Sequence, residues 1–262
     1  MQISLKRSKA VVARIFLSVL LIATCLVGFA LAADKYDVVY QISSLAGLEH
    51  GVFFPTTTVG ELKKHGDFGV GAFEHMDGEL ILINGKAYNG MYDGSVVLMD
   101  DKAPITYGAV SFFKASKTTT LNNINSYEEM MKSIDALLPN INNFYAFKIN
   151  AKFSYVKYRS TDKQDQPYPP LSQVIATQSI FEVKDVKGTF VGVRLPHFIK
   201  NVYAPGYHLH FITDDKKQGG HILEVKFDEA KVQIQYLSQM LIKMPTNEGA
   251  KKIDLAVPYQ KK

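Results

Sequence analysis

Alternating apolar and polar residues run through most of the chain and predict strands, because successive side chains of a strand point to opposite faces. The clearest case is 147–159, where Phe147, Ile149, Ala151 and Phe153 share one face and lysine, asparagine and serine residues share the other. The same reasoning predicts strands at 34–44, 79–83, 95–99, 105–113 and 232–237, and a hairpin of 180–183 with 189–193.

Helical patterns are few and short. Thr58 with Glu61, and Ser126 with Glu129, have the spacing of a capping box, in which a hydroxyl and a carboxylate bond free N–H groups at a helix start. Apolar residues at helical spacing follow Ser126, and we read them as core. The pattern therefore predicts an α/β chain of the β-rich α+β kind, with a few short helices.

The first 33 residues have the features of a signal peptide. A basic segment ending at Arg14 precedes an almost unbroken apolar run from Ile15 to Phe29, and Ala30 and Ala32 match the small residues of a cleavage site. We expect cleavage near Ala32 or Ala33, and export to a periplasmic or extracellular location. The alternative is an uncleaved membrane anchor, since the run approaches the length that spans a bilayer.

Removal of this leader changes the charge and the cysteine content. The leader holds four of the 30 basic residues and no acid, so 26 basic and 25 acidic residues remain, a net charge of +1. Such a balance gives no support to nucleic-acid binding. The single cysteine, Cys25, leaves with the leader, so the mature chain has no disulfide and depends on its core or on a metal.

The segment 205–224, PGYHLHFITDDKKQGGHILE, contains three histidines in a hairpin pattern. His208 and His210 share one face of the first predicted strand, and His221 begins the next strand after a polar turn. Three neutral imidazoles would leave a tetrahedral zinc ion with an open position, as in catalytic zinc sites. Mn, Fe, Co or Cu would also suit such a site. The alternative is three unrelated histidines on an exposed hairpin.

Two further charged residues lie at strand ends. Glu79 opens the apolar strand 79–83 and is either a solvated strand-end carboxylate or a functional acid. Arg159 has the parity of the apolar face of 147–155, so its guanidinium would point inward and need an anionic partner. A bulge near Lys157 would reverse that parity, and the local sequence does not choose between a structural and a substrate carboxylate.

Taken together, these motifs resemble the alpha-acetolactate decarboxylase family. The resemblance rests on GYHLHF followed by GGH, on DFGVGAFEHMDGEL, and on an arginine upstream of QPYPPL, and it runs from about Tyr36 to Leu237. It implies two mixed β-sheets with few helices, an N-terminal sheet at about 34–140 and a metal-bearing sheet at about 141–262. It also implies a homodimer.

For the site, the resemblance implies that His208, His210 and His221 bind zinc and that Glu79 and Arg159 are catalytic. The sequence departs from the family at two positions. Ala72 occupies a place where many members have threonine, so a polar contact to substrate is missing. The family also brings a tail glutamate to its site, and Glu248 is the only candidate in this tail.

The implied reaction is the decarboxylation of (S)-2-acetolactate to (R)-acetoin and CO₂, in acetoin biosynthesis. Zinc acts as the electron sink for an enediolate intermediate, so no thiamine or pyridoxal cofactor is needed. Two alternatives remain at this point: another exported zinc enzyme, of the hydrolase type, and an exported binding module without catalysis.

Overall fold

The computed structural model describes residues 34–255. The predicted leader, 1–33, and residues 256–262 lie outside this range, so cleavage and export stay predictions. Within the described part, no helix combines the length and apolar character needed to cross a membrane.

The first sheet has eight strands and is mixed. Its order is β13-β1-β7-β3-β4-β5-β6, with the two-residue strand β2 paired to β7. The pairings are antiparallel except that β13 lies parallel to β1. The strands are β1 (Val38–Ile42), β2 (Thr57–Thr58), β3 (Phe68–Phe73), β4 (Glu79–Ile83), β5 (Lys86–Gly90), β6 (Val96–Leu98), β7 (Pro104–Ser111) and β13 (Gln239–Lys243).

The second sheet has five antiparallel strands in the order β11-β10-β9-β12-β8. An additional pairing of β11 with β12 closes four of the strands on themselves at one end. The strands are β8 (Lys117–Ile124), β9 (Phe144–Ser160), β10 (Ser179–Leu195), β11 (Gly206–Thr213) and β12 (Gly219–Leu237).

The helices are short, as predicted, and the hydroxyl half of each capping box forms. The Thr58 and Ser126 hydroxyls accept hydrogen bonds from the backbone N–H groups of Glu61 and Glu129. The α-helices are α1 (Leu45–Glu49), α2 (Val59–Leu62), α3 (Tyr127–Asp135), α4 (Leu171–Ala176) and α5 (Glu248–Lys251). Three 3₁₀ turns lie at Lys35–Asp37, Glu74–Met76 and His197–Ile199.

The two sheets face each other across a shared apolar core. One cluster joins residues of β3, β4, β5 and β7 with residues of β9, β10 and β11, so it lies between the sheets. A second cluster fills the other face of the second sheet and includes Met130 and Ile134 of α3. A third covers the outer face of the first sheet together with α2. The predicted β-rich fold with two sheets is confirmed.

The continuity of one strand and the division between the sheets differ from the sequence predictions. The segment 179–195 is one continuous strand rather than a hairpin, because β9 pairs with it along its whole length and Asp185, at φ 53°, only interrupts its regularity. The division of the sheets at about residue 140 is also crossed twice. Strand β8 pairs with β12 of the second sheet, and β13 returns to β1 of the first sheet.

A cluster of aromatic rings inside the second sheet predicts a large stability effect. Phe153 is fully buried and stacks on Phe190 at 4.2 Å between ring centroids. We expect Phe153→Ala to lower the free energy of unfolding by about 3–5 kcal/mol, because it removes buried area and leaves a cavity. Denaturant unfolding measures the change. Phe198→Ala is the control, since Phe198 is 69% exposed and should change stability by less than about 0.5 kcal/mol. Equal losses in both variants would contradict this account.

Candidate functional site

The β11–β12 hairpin brings the three predicted histidines together. His210 lies directly opposite His221 in the strand register, and His208 is two residues along β11 on the same face. Gly219 and Gly220 allow the close approach of β12. A Cβ at Gly219 would lie 2.5 Å from the Phe211 carbonyl oxygen, and one at Gly220 would lie 2.4 Å from that of Arg159. The two glycines therefore let His221 reach the other two rings.

The three imidazoles form one cluster. One ligand atom from each ring lies within 4.8 Å of the others, and the centroid separations are 4.8, 4.9 and 5.3 Å. The Nε2 atoms of His208 and His210 are 3.0 Å apart. Two ring nitrogens at this distance must share either a proton or a cation. His210 is fully buried, and the other two are partly buried.

Groups outside the cluster bind the outer nitrogens of two of the rings. His210 Nδ1 is 2.8 Å from the carbonyl oxygen of Leu80, the second residue of β4. His208 Nδ1 is 2.6 Å from the hydroxyl of Tyr203. Such partners fix the orientation of metal-binding imidazoles in proteins. His221 Nδ1 is buried and has no hydrogen-bond partner within the described part of the chain.

The electrostatics of the cluster suit a metal ion. Burial, assisted by the positive charge of Arg159, lowers the pKa of His208 to about 3. Burial also lowers the pKa values of His210 and His221 well below the ordinary value for histidine. All three rings are therefore neutral, which is the form that binds metals. Neutral rings, one orphaned buried nitrogen and the short Nε2 separation all fit a three-histidine metal centre.

Glu79 and Arg159 lie beside the imidazoles as an ion pair. Glu79 Oε1 is 2.9 Å from Arg159 Nη1, and its Oε2 is 3.3 Å from His210 Nε2. Glu79 is 5% exposed, so the solvated strand-end alternative is wrong. Its side chain faces the second sheet because it has the same parity along β4 as Ile81 and Ile83, which belong to the core between the sheets. Burial raises the pKa of Glu79, and the Arg159 guanidinium opposes that shift.

Arg159 points inward as expected, but from the other face of its strand. Phe147, Ile149 and Phe153 share a core with Val156 and Tyr158, so the apolar parity changes from odd to even residues. The cause is one extra residue in β9 opposite β12. Lys226 and Phe227 are adjacent in β12, but they pair with Tyr155 and Phe153, which are two residues apart. The prediction that Arg159 shares the face of Phe147 is therefore wrong. A bulge does reverse the parity of the strand, as the alternative proposed, but it lies at Ser154 rather than at Lys157.

The histidine cluster and the pair of Glu79 and Arg159 border one cavity of about 280 Å³. Glu79, Arg159, His208 and His221 form its polar wall, together with Tyr107 and Tyr207. Its apolar wall comes from α1, α4 and nearby strands: Leu45, Leu48, Gly71, Ala72, Met76, Leu171, Ile175 and Ala204. Among the described residues that line it, Glu79 is the only carboxylate. A polar, charged end and an apolar end suit a small oxygen-rich substrate that carries alkyl groups.

The structure also locates the two departures from the family pattern. Ala72 lines the cavity next to Glu79, its partner across β3 and β4, and offers only a methyl group there. Glu248 lies on α5 with an 80% exposed side chain and pairs with Lys251 at 2.6 Å, so it does not enter the cavity. Tyr203 and the Leu80 carbonyl were not predicted from the sequence. A tyrosine just before a His-x-His strand was the available signal for the first, whereas a backbone carbonyl leaves no signal in the sequence.

Comparison with known proteins decides the family. A sequence model described as alpha-acetolactate decarboxylase matches residues 39–257. The chain belongs to the alpha-acetolactate decarboxylase family. The family's proteins include that of Methanosarcina mazei, which is 37% identical over 211 residues, covering 80% of this chain and 73% of that protein. The protein of Brevibacillus brevis is 35% identical over 219 residues, covering 84% and 77%.

Solved structures of the alpha-acetolactate decarboxylase family share the fold. The crystal structure from Bacillus subtilis strain 168 has a TM-score of 0.81 at 31% identity, and the match covers 84% of this chain and 94% of that one. A Staphylococcus aureus protein described as similar to alpha-acetolactate decarboxylase has a TM-score of 0.80 at 30% identity, covering 84% and 95%. Family membership makes the chain a carboxy-lyase.

Proposed function

We propose that this chain catalyses the zinc-dependent decarboxylation of (S)-2-acetolactate to (R)-acetoin and CO₂. The supporting observation is that a cluster of three neutral imidazoles, two of which line one cavity with a buried carboxyl group and a guanidinium, occurs in a chain of the alpha-acetolactate decarboxylase family. His208, His210 and His221 would hold the ion. When bound, zinc would supply the Lewis acid that accommodates the electron pair left as CO₂ departs.

Arg159 is suited to bind the substrate carboxylate. Its guanidinium is partly buried, with 13% of the side chain exposed, and it borders the cavity beside the three imidazoles. A charge-assisted hydrogen bond from a guanidinium fixes the direction of a carboxylate and is strong where water is scarce. Arg159 therefore orients the substrate so that the bond to its carboxylate carbon is the one placed to break.

Glu79 is suited to transfer the proton. Breaking the bond to CO₂ leaves an electron pair on the substrate carbon, and that carbon must receive one proton to become the CH–OH of acetoin. A carboxyl group whose pKa is raised by burial can hold a proton and deliver it. Because Glu79 lies on one wall of the cavity, delivery occurs from one side, which gives acetoin of one handedness.

The apolar end of the cavity serves the same reaction. Leucine and isoleucine side chains of α1 and α4 cover the methyl groups of the substrate and exclude water. Exclusion of water strengthens the interactions of Arg159 and Glu79 with the reacting atoms.

The test combines activity, stereochemistry and metal content on one preparation. We expect purified protein to convert racemic acetolactate to acetoin faster than a buffer blank, with (R)-acetoin as the product by chiral chromatography. Elemental analysis should give one zinc per chain, and a chelator should abolish activity that added zinc restores. Protein that contains no metal, or that yields no acetoin above the blank, would refute the proposal.

A further inference from the structure

The outer nitrogen of His208 meets a side chain rather than a backbone carbonyl. Its Nδ1 lies 2.6 Å from the hydroxyl of Tyr203, a residue of the connection that leads into β11. We propose that Tyr203 is a positioning residue for the metal centre, and that its hydroxyl accepts the Nδ1 proton of His208 when zinc is bound. The proposal rests on the metal centre of the proposed function.

The position of each proton follows from the partners of His210. A carbonyl oxygen only accepts, so the 2.8 Å contact of His210 Nδ1 with the Leu80 oxygen requires a proton on Nδ1. A neutral imidazole carries one proton, and His210 Nε2 therefore presents a lone pair towards His208. Leu80 fixes this arrangement whether or not an ion is bound, because its carbonyl cannot donate.

His208 differs because its partner is a hydroxyl. Its Nε2 lies 3.0 Å from His210 Nε2, which carries a lone pair. For both atoms to bind one cation, the His208 proton must be on Nδ1, where Tyr203 accepts it. Without the cation, a proton on His208 Nε2 joins the two nitrogens, and the hydroxyl of Tyr203 then donates to Nδ1. A hydroxyl can do both, since it is a donor and an acceptor.

Zinc binding therefore reverses the direction of one hydrogen bond and keeps its geometry. The ring of His208 remains in the orientation that the ion needs, because the same hydroxyl holds it in both forms. Loss of the hydroxyl destabilises the zinc-loaded form more than the zinc-free form. The zinc-loaded form would keep a buried N–H donor without an acceptor, and unpaired buried N–H groups are the rarer and less tolerated kind.

The fold holds Tyr203 firmly enough to act in this way. Tyr203 is fully buried, and its backbone N–H donates to the carbonyl of Ile199 at 3.0 Å. Its ring stacks on Tyr107, with centroids 5.4 Å apart and an interplanar angle of 15°. These contacts involve the ring and the backbone, so phenylalanine at this position keeps the packing and removes only the hydroxyl.

Zinc affinity is the first readout. We expect Tyr203→Phe to weaken zinc binding by about 10–100-fold, measured by competition with a chromophoric chelator. Tyr145→Phe is the matched control, because Tyr145 is also fully buried and loses one hydrogen bond, to the carbonyl of Asn140, in the core on the other face of the second sheet. The control should bind zinc as the parent does. Parental affinity in Tyr203→Phe would overturn the proposal.

The second readout reports the proton itself and uses the parent protein alone. Nitrogen-15 NMR of histidine-labelled protein should show His208 protonated on Nε2 before zinc is added and on Nδ1 afterwards, whereas His210 stays protonated on Nδ1. A zinc-loaded His208 without a proton on Nδ1 would overturn the role of Tyr203 and leave the decarboxylase proposal intact. A parent protein that binds no zinc would overturn both.

Discussion

His210→Ala is expected to remove the metal centre and to lower kcat/KM by more than about 10³-fold, a larger loss than that from removing a single electrostatic donor. His210 is the central ligand by position. It lies opposite His221 in the register and 3.0 Å from His208 through the two Nε2 atoms, and it is the one fully buried member of the cluster. Elemental analysis should find less than stoichiometric zinc in the variant.

Controls separate loss of the metal from loss of the fold. His197→Ala changes an exposed histidine at the start of a 3₁₀ turn and should keep full activity and zinc content. His221→Ala should repeat the loss seen with His210→Ala at a less buried position. Circular dichroism and an unfolding curve show whether each variant is folded. A folded His210→Ala variant with parental activity would exclude the three-histidine centre from the reaction.

The three-histidine cluster could be predicted because its members come from one short hairpin. The two-residue period of a strand places His208 and His210 on one face, and the polar turn before Gly219 returns His221 beside them. Such local geometry depends little on the rest of the fold. Helices α2 and α3 were predicted for the same reason, since the capping signal of each lies within four residues.

Other features depend on contacts between distant parts of the chain, and sequence periodicity could not supply them. The face from which Arg159 points depends on an irregularity opposite β12, which begins about 60 residues later. The continuity of β10 through Asp185 depends on its pairing with β9. The Leu80 carbonyl that fixes His210 is a backbone atom of the other sheet, so its identity as a partner leaves no trace in the residue pattern.

The ion pair of Glu79 and Arg159 shows why the site lies between the sheets. Glu79 comes from β4 of the first sheet, and Arg159 comes from β9 of the second, next to His221 in the register. A buried guanidinium needs a partner, and Glu79 provides one at 2.9 Å. The same pairing keeps a carboxyl group, with its pKa raised by burial, beside the imidazoles. The packing of the two sheets therefore brings the carboxyl group and the three imidazoles together.

Glu79→Gln is expected to lower kcat by about 10²–10⁴-fold, the usual contribution of a positioned acid or base. The amide keeps the shape of the carboxyl group and still accepts a hydrogen bond from Arg159, but it cannot exchange a proton. The acetoin that the variant does produce should lose its excess of one enantiomer, because the proton then arrives from water. Steady-state kinetics and chiral chromatography measure the two effects, and zinc content is determined on the same sample.

Glu61→Gln provides the matched control, because Glu61 is an exposed glutamate paired with Lys64, and its change should leave rate and product handedness at parental values. The zinc measurement decides how a slow Glu79→Gln variant is interpreted, since Glu79 Oε2 lies only 3.3 Å from His210 Nε2. Retained zinc with a slow rate and racemic product assigns the proton to Glu79. Retained zinc with a slow rate and a single enantiomer assigns Glu79 to orienting Arg159 and gives the proton another source. A parental rate would remove Glu79 from the reaction altogether.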